Sequence, residues 1–138
     1  MSPITILLAE DQRIIRKIVR DLLLTETDLR VIAEAENGRQ AVALAGQLCP
    51  DVVIIDVSMP LINGIEATRQ IMQSTASTKV LVFSSYNDDV YIEQAMTSGA
   101  SGYLVKHTDT LMLPVAIRSA YHGTPFFCPS KIARLERP

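Results

Sequence analysis

Five short runs of branched apolar residues punctuate the chain: ITILLA (4–9), RVIAEA (30–35), DVVIID (51–56), KVLVFS (79–84) and GYLVK (102–106). At least three are continuous rather than alternating, the pattern of strands in a parallel sheet whose two faces are both covered by helices. The intervals between them carry helical spacing. Ile14, Ile15, Ile18, Val19, Leu22 and Leu23, with Arg13, Arg16, Lys17 and Arg20 between them, predict an amphipathic first helix. Ala41, Val42, Leu44, Ala45 and Leu48 mark the second, Ile65, Ala67, Thr68, Ile71 and Met72 the third, Ile92, Ala95 and Met96 the fourth, and Leu111 through Tyr121 the fifth.

Asn37-Gly38 and Asn63-Gly64 would ordinarily signal tight hairpins. Each instead opens a helical pattern, so the two asparagines read as N-caps, with Gln40 and Glu66 three residues on completing capping boxes. Pro114 is tolerated only near a first turn, which sets the start of the fifth helix near Thr110 rather than at His107. Strands alternating with helices, joined by right-handed crossovers, predict an α/β fold: a doubly wound (βα)5 domain with a five-stranded parallel sheet in the order 2-1-3-4-5, the flavodoxin-like arrangement.

Composition narrows the class without changing this picture. A chain of 138 residues, 48% hydrophobic and 20% charged, suits one domain that folds without disulfides or a structural metal. Cys49 and Cys128 lack metal-ligand spacing, and both read as buried free thiols in a reducing compartment. The N-terminus has no basic leader and no apolar run approaches the ~20 residues of a membrane span, so a cytoplasmic protein with no membrane contact is expected. Thirteen Lys and Arg against fifteen Asp and Glu supply no clustered basic surface for gripping DNA. The division expected is a domain over residues 1–124 and a tail over 125–138. Within that tail FFCPSKIARLERP reads as a docked aromatic anchor followed by the start of a linker.

The chemistry lies at the strand ends. In such a sheet ligands bind outside the carboxyl ends of the strands where strand order reverses, here between strands 1 and 3. Strand 1 ends in Glu10 and Asp11 and strand 3 in Asp56, which brings three carboxylates to one rim. Two such charges at ~4 Å repel by about 4 kcal/mol at an effective dielectric near 20, so a cation is expected. Oxygen-only ligands select Mg²⁺. Strand 4 adds the hydroxyls of Ser84 and Ser85, and strand 5 the ammonium of Lys106. A carboxylate nucleophile flanked by a metal, an ammonium and a hydroxyl suits in-line phosphoryl transfer to Asp56.

LLAEDQ, IIDVSMPLING, VLVFSS and GASGYLVK, falling in order on successive strand ends, resemble the receiver domains of bacterial two-component response regulators over residues 4 to 122. The resemblance implies that Asp56 accepts a phosphoryl group from a sensor histidine kinase, that Glu10, Asp11, Asp56 and the Ser58 carbonyl hold Mg²⁺, and that Lys106 and Ser84 bind the phosphoryl oxygens. It also implies a switch in which Tyr103 rotates inward when Ser84 moves, and a homodimer formed on phosphorylation. GASGYLVK together with HGTPFFCPS is most similar to the LuxR-type (NarL/FixJ) group, whose members bind DNA through a separate output domain. Positions two beyond the acceptor and the switch hydroxyl, Ser58 and Tyr86, influence phosphoryl lifetime in this family. Bulky Tyr86 is expected to shield the acyl phosphate from water.

Other readings stay open at this stage. Asp11 also suits an N-cap of the first helix, and Tyr103 a static aromatic at the sheet edge. An aspartate-nucleophile phosphohydrolase of the haloacid dehalogenase type would need an acid where Ser58 stands. A pseudo-receiver would bind partners without phosphorylation. His107 and His122 read as surface residues. Many receivers have Lys-Pro after strand 5, with that bond cis; Lys106-His107 predicts a trans peptide or local strain displacing the lysine.

Overall fold

The computed structural model describes residues 2–127. Six parallel strands, β1 (Ile4–Ala9), β2 (Leu29–Ala35), β3 (Val52–Ile55), β4 (Lys79–Ser84), β5 (Gly102–Val105) and β6 (Phe126–Phe127), form one sheet. Their order is β2-β1-β3-β4-β5-β6. Helices α1 (Arg13–Leu24), α2 (Gly38–Leu48), α3 (Gly64–Ser74), α4 (Asp89–Thr97) and α5 (Leu113–Tyr121) connect them.

Alternation along each buried strand divides the core in two. Leu7, Val53, Ile55, Val80, Val82 and Tyr103 face Ala41, Ala45, Ala67, Ile71 and Ala95 of α2, α3 and α4. Ile6, Leu8, Ile54, Leu81, Phe83 and Leu104 face Val19 and Leu23 of α1 and Leu113, Ala116 and Ile117 of α5. Each fully buried Ile, Leu or Val contributes about 1.5–3 kcal/mol relative to exposure. The central strands are buried on both faces, which is why they read as unbroken apolar runs.

The expected five strands are joined by a sixth. Phe126 and Phe127 pair with Gly102 and Tyr103, and the Phe126 N–H donates to the Ser101 carbonyl at 2.9 Å. Gly102 permits this approach, since a Cβ there would lie 2.3 Å from the Phe126 oxygen. Two residues cannot display a period of two, so the pair read as an aromatic anchor and not as a strand. The rest of the tail, with Cys128, lies outside the described residues.

Local signals held unevenly. Asn37 and Asn63 do cap α2 and α3, accepting from the Gln40 and Glu66 N–H groups at 2.8 and 2.9 Å. Neither capping box closes: the Gln40 side chain accepts instead from the Glu36 N–H, and Glu66 pairs with Arg69. Asp11 does not cap α1, whose N-cap residue is Gln12. A 3₁₀ turn at Thr110–Met112 precedes α5, and Pro114 falls in the first turn of that helix. Cys49 is exposed, contrary to the expectation of burial. It ends α2 in the left-handed conformation at φ 46°, ahead of buried Pro50, so its apolar neighbours in sequence do not enclose it.

Gly64 sets the entry of α3 against the loop after β3. Its N–H donates to the Val57 carbonyl at 2.8 Å, and a Cβ would stand 2.0 Å from the Asp56 carbonyl oxygen. Gly64→Ala is therefore expected to destabilise the fold by about 1–3 kcal/mol. Gly46→Ala, inside α2 with nothing within 4 Å of the new methyl, should be neutral or stabilising by about 0.5–1 kcal/mol. Chemical denaturation of the two variants reads both signs, and equal effects would contradict this packing.

Candidate functional site

Register brings the site residues together. β1 pairs with β3 so that Ala9 opposes Ile55, and the Asp56 N–H continues the ladder by donating to the Ala9 carbonyl at 3.0 Å. Glu10 and Asp56 therefore emerge side by side. On the other flank Ser84 opposes Val105, and the Lys106 N–H donates to the Ser84 carbonyl at 2.8 Å. Lys106 reaches across the strand ends, with Nζ 2.5 Å from Glu10 Oε1 and 3.2 Å from Asp56 Oδ2. Glu10, Asp56 and Lys106 are only 2%, 6% and 6% exposed. The Lys106–His107 peptide is trans, and His107 takes up the turn at φ 74° while Lys106 still meets both acids.

Burial pushes the Glu10 carboxyl up to about 7; the Lys106 hydrogen bond pulls it down and the Asp56 charge pushes it up. The second Glu10 oxygen accepts from the Gln12 N–H at 3.1 Å. One oxygen each from Glu10, Asp11 and Asp56 lie within 4.8 Å of one another. Asp11 is exposed, and its carboxylate makes no hydrogen bond or ion pair among the described residues. One solvent-facing acid beside two buried ones, all with oxygen donors, fits a hard divalent cation such as Mg²⁺.

Asp11 and Asp56 border a cavity of about 270 Å³ lined also by Gln12, Ser58, Ser85, Tyr86 and Lys106. The Ser58 N–H lies 3.4 Å from Asp56 Oδ1, and its hydroxyl lies 3.2 Å from the Tyr86 phenol oxygen. Ser84 is fully buried, and its hydroxyl accepts from the Tyr86 N–H at 3.1 Å, so it is Ser85 that lines the cavity. Tyr103 is also fully buried, already turned inward, with its phenol donating to the Tyr86 carbonyl at 2.6 Å. Tyr86 stacks on Tyr91 of α4 at 4.7 Å between ring centroids. His107 and His122 are exposed.

Two contributors were not visible in the sequence. Arg16, read as part of the polar face of α1, is buried and donates to the Glu10 carbonyl at 2.7 Å while pairing with Glu34 at 3.3 Å. Gln12 contributes the N–H that holds Glu10.

Residues 6–118 match the family described as the response regulator receiver domain. The chain is 36% identical to the transcriptional regulatory protein DegU of Brevibacillus brevis over 128 residues, covering 93% of this chain and 54% of that protein. It is 36% identical to the nitrate/nitrite response regulator protein NarL of Escherichia coli K12 over 122 residues, covering 88% of this chain and 56% of that one. It thus spans little more than half the length of these relatives. A crystal structure of a LuxR-family two-component response regulator from Aurantimonas sp. SI85-9A1 superposes with a TM-score of 0.89 at 31% identity, covering 98% of this chain and 100% of that one. Among the described residues no helix is long and apolar enough to cross a membrane. The chain belongs to the receiver domain family of two-component response regulators, and its relatives are of the LuxR, NarL and DegU type.

Proposed function

We propose that Asp56 is the phosphoacceptor and that the donor is the phosphohistidine of a sensor histidine kinase. The observation that carries this reading is the Asp56 carboxylate at a cavity floor, with Lys106 Nζ at 3.2 Å. An oxygen of Asp56 attacks phosphorus, the P–N bond of the donor breaks, and the imidazole leaves. Lys106 offsets the charge on the transferring group. Glu10, Asp11, Asp56 and the Ser58 carbonyl would hold Mg²⁺, which when bound neutralises phosphoryl oxygens. The alternative hydrolase chemistry lacks its second acid, because Ser58 stands in that place with its hydroxyl beside the Tyr86 phenol.

Ser84 and Tyr103 hold the two backbone polar groups of one residue, Tyr86. Drawing the Ser84 hydroxyl toward phosphoryl oxygens releases the Tyr86 N–H and perturbs the segment that Tyr103 anchors. That coupling is the switch, and it biases one of two conformational populations. The output is homodimerisation or control of a DNA-binding domain elsewhere in the full protein. The chain's own chemistry is limited to accepting and losing the phosphoryl group, in a cytoplasmic setting.

Incubation with acetyl phosphate and Mg²⁺ should add one phosphoryl group by intact mass, and neither Asp56→Asn nor metal-free protein should gain it. No gain in the wild type would abandon the reading. Glu10 gives a pH signature. Its folded-state pKa, about 7 against an ordinary 4.5, lies above the unfolded value, so metal-free stability is full below about 4.5 and falls as pH rises through about 7. A cation needs the ionised form, so Mg²⁺ affinity by calorimetry should rise about tenfold between pH 6 and 8. A flat profile would exclude Glu10 from the metal site. Tyr86→Ala, which opens the cavity wall, should shorten the phosphoryl half-life; loss at the wild-type rate would remove Tyr86 as a shield.

A further inference from the structure

Asp109 is a carboxylate at 2% exposure that phosphoryl transfer does not use. It precedes the 3₁₀ turn at the position where an aspartate ordinarily caps forward, yet it makes no side-chain cap. Its carboxylate reaches backward instead and accepts from the Val105 N–H at 2.8 Å, while its own N–H donates to the Val105 carbonyl at 2.9 Å.

Strand geometry explains why that partner is needed. Successive N–H groups of β5 point to opposite neighbours. The Lys106 N–H finds β4, through the Ser84 carbonyl, so the Val105 N–H points to the side of β6. Among the described residues β6 pairs only with Gly102 and Tyr103. Among the described residues the buried Val105 N–H therefore has no strand partner at its level, a condition that native interiors rarely leave unmet. Asp109 substitutes for the strand. Two residues beyond Val105, the His107 N–H donates to Thr110 Oγ1 at 3.2 Å and His107 turns at φ 74°.

Lys106 thus leaves the sheet from a backbone tied at Val105, at its own N–H and at His107. Its side chain has four rotatable bonds, and placing Nζ between Glu10 and Asp56 requires a fixed origin for them. We propose that Asp109 is a positioning residue for Lys106: by binding the Val105 N–H it fixes the point from which the lysine reaches the acceptor. The kinetic consequence rests on Asp56 being the phosphoacceptor, whereas the positioning itself does not.

The test is a double-mutant cycle in the full 138-residue chain. With acetyl phosphate and Mg²⁺, Asp109→Ala should slow phosphoryl uptake about tenfold, the scale expected when a catalytic group is misplaced by a fraction of an ångström. Asp109→Asn, whose amide oxygen can accept the same N–H, should retain most of the rate. In a Lys106→Ala background, Asp109→Ala should slow uptake no further, whereas a residue that merely supports the fold would cost the same factor again. Equal slowing in both backgrounds, or a wild-type rate for Asp109→Ala, would overturn the proposal. The ¹³Cε order parameter of Lys106 in unphosphorylated protein supplies a readout independent of transfer. It should fall in Asp109→Ala and hold in Asp109→Asn; an unchanged value in Asp109→Ala overturns the proposal even if Asp56 takes no phosphoryl group, an outcome that would separately defeat the function proposed above.

Discussion

The ammonium of Lys106 lies between two carboxylates that would otherwise be buried against each other. Its Nζ lies 2.5 Å from Glu10 and 3.2 Å from Asp56, each nearly inaccessible to water. Removing one partner from a buried charge cluster costs about 3–5 kcal/mol, because what remains is a desolvated charge without compensation. The rim of the sheet is organised around avoiding that outcome. Parallel register delivers Glu10 and Asp56 together from adjacent strands, and the β4–β5 register delivers Lys106. Arg16 and Gln12 then hold Glu10 at its carbonyl and its second carboxylate oxygen.

The same constraint makes the site responsive. Three acids and one lysine leave an excess of negative charge at these strand ends, which a divalent cation and then a phosphoryl group would each redistribute. Around this rigid centre, Tyr86 joins elements that the sheet does not: its N–H meets Ser84, its carbonyl meets Tyr103, its phenol meets Ser58, and its ring stacks on Tyr91 of α4. A change at the Ser84 hydroxyl therefore has a short physical route to a helix face. Such a route is a coupling of contacts, and its direction depends on which arrangement a ligand favours.

How much of this was legible in the sequence depends on the range of the interaction. Strand runs and helix periodicity reflect burial on both faces of a central sheet, so β1, β3 and β4 and all five helices were readable. The placement of Glu10, Asp11, Asp56 and Lys106 at one rim followed from strand order, since a parallel topology leaves the carboxyl ends no other place. The two-residue strand β6 carried no periodic signal. Arg16 and Asp109 were invisible because each acts on a backbone group whose lack of a partner is known only once the strands are paired. Cys49 misled for the opposite reason: its neighbours in sequence are apolar, but a left-handed helix end turns it to solvent.

The central claim is that the Lys106 charge is what allows Glu10 and Asp56 to be ionised together inside the fold. Thermal unfolding of Lys106→Met against wild type, without metal at pH 5 and pH 8, tests it most directly. At pH 5 Glu10 retains its proton and the variant should lose less stability; at pH 8 Glu10 is ionised, and the loss should be larger and reduced by Mg²⁺. An equal loss at the two pH values, untouched by Mg²⁺, would mean that the lysine acts through packing alone and would contradict the account.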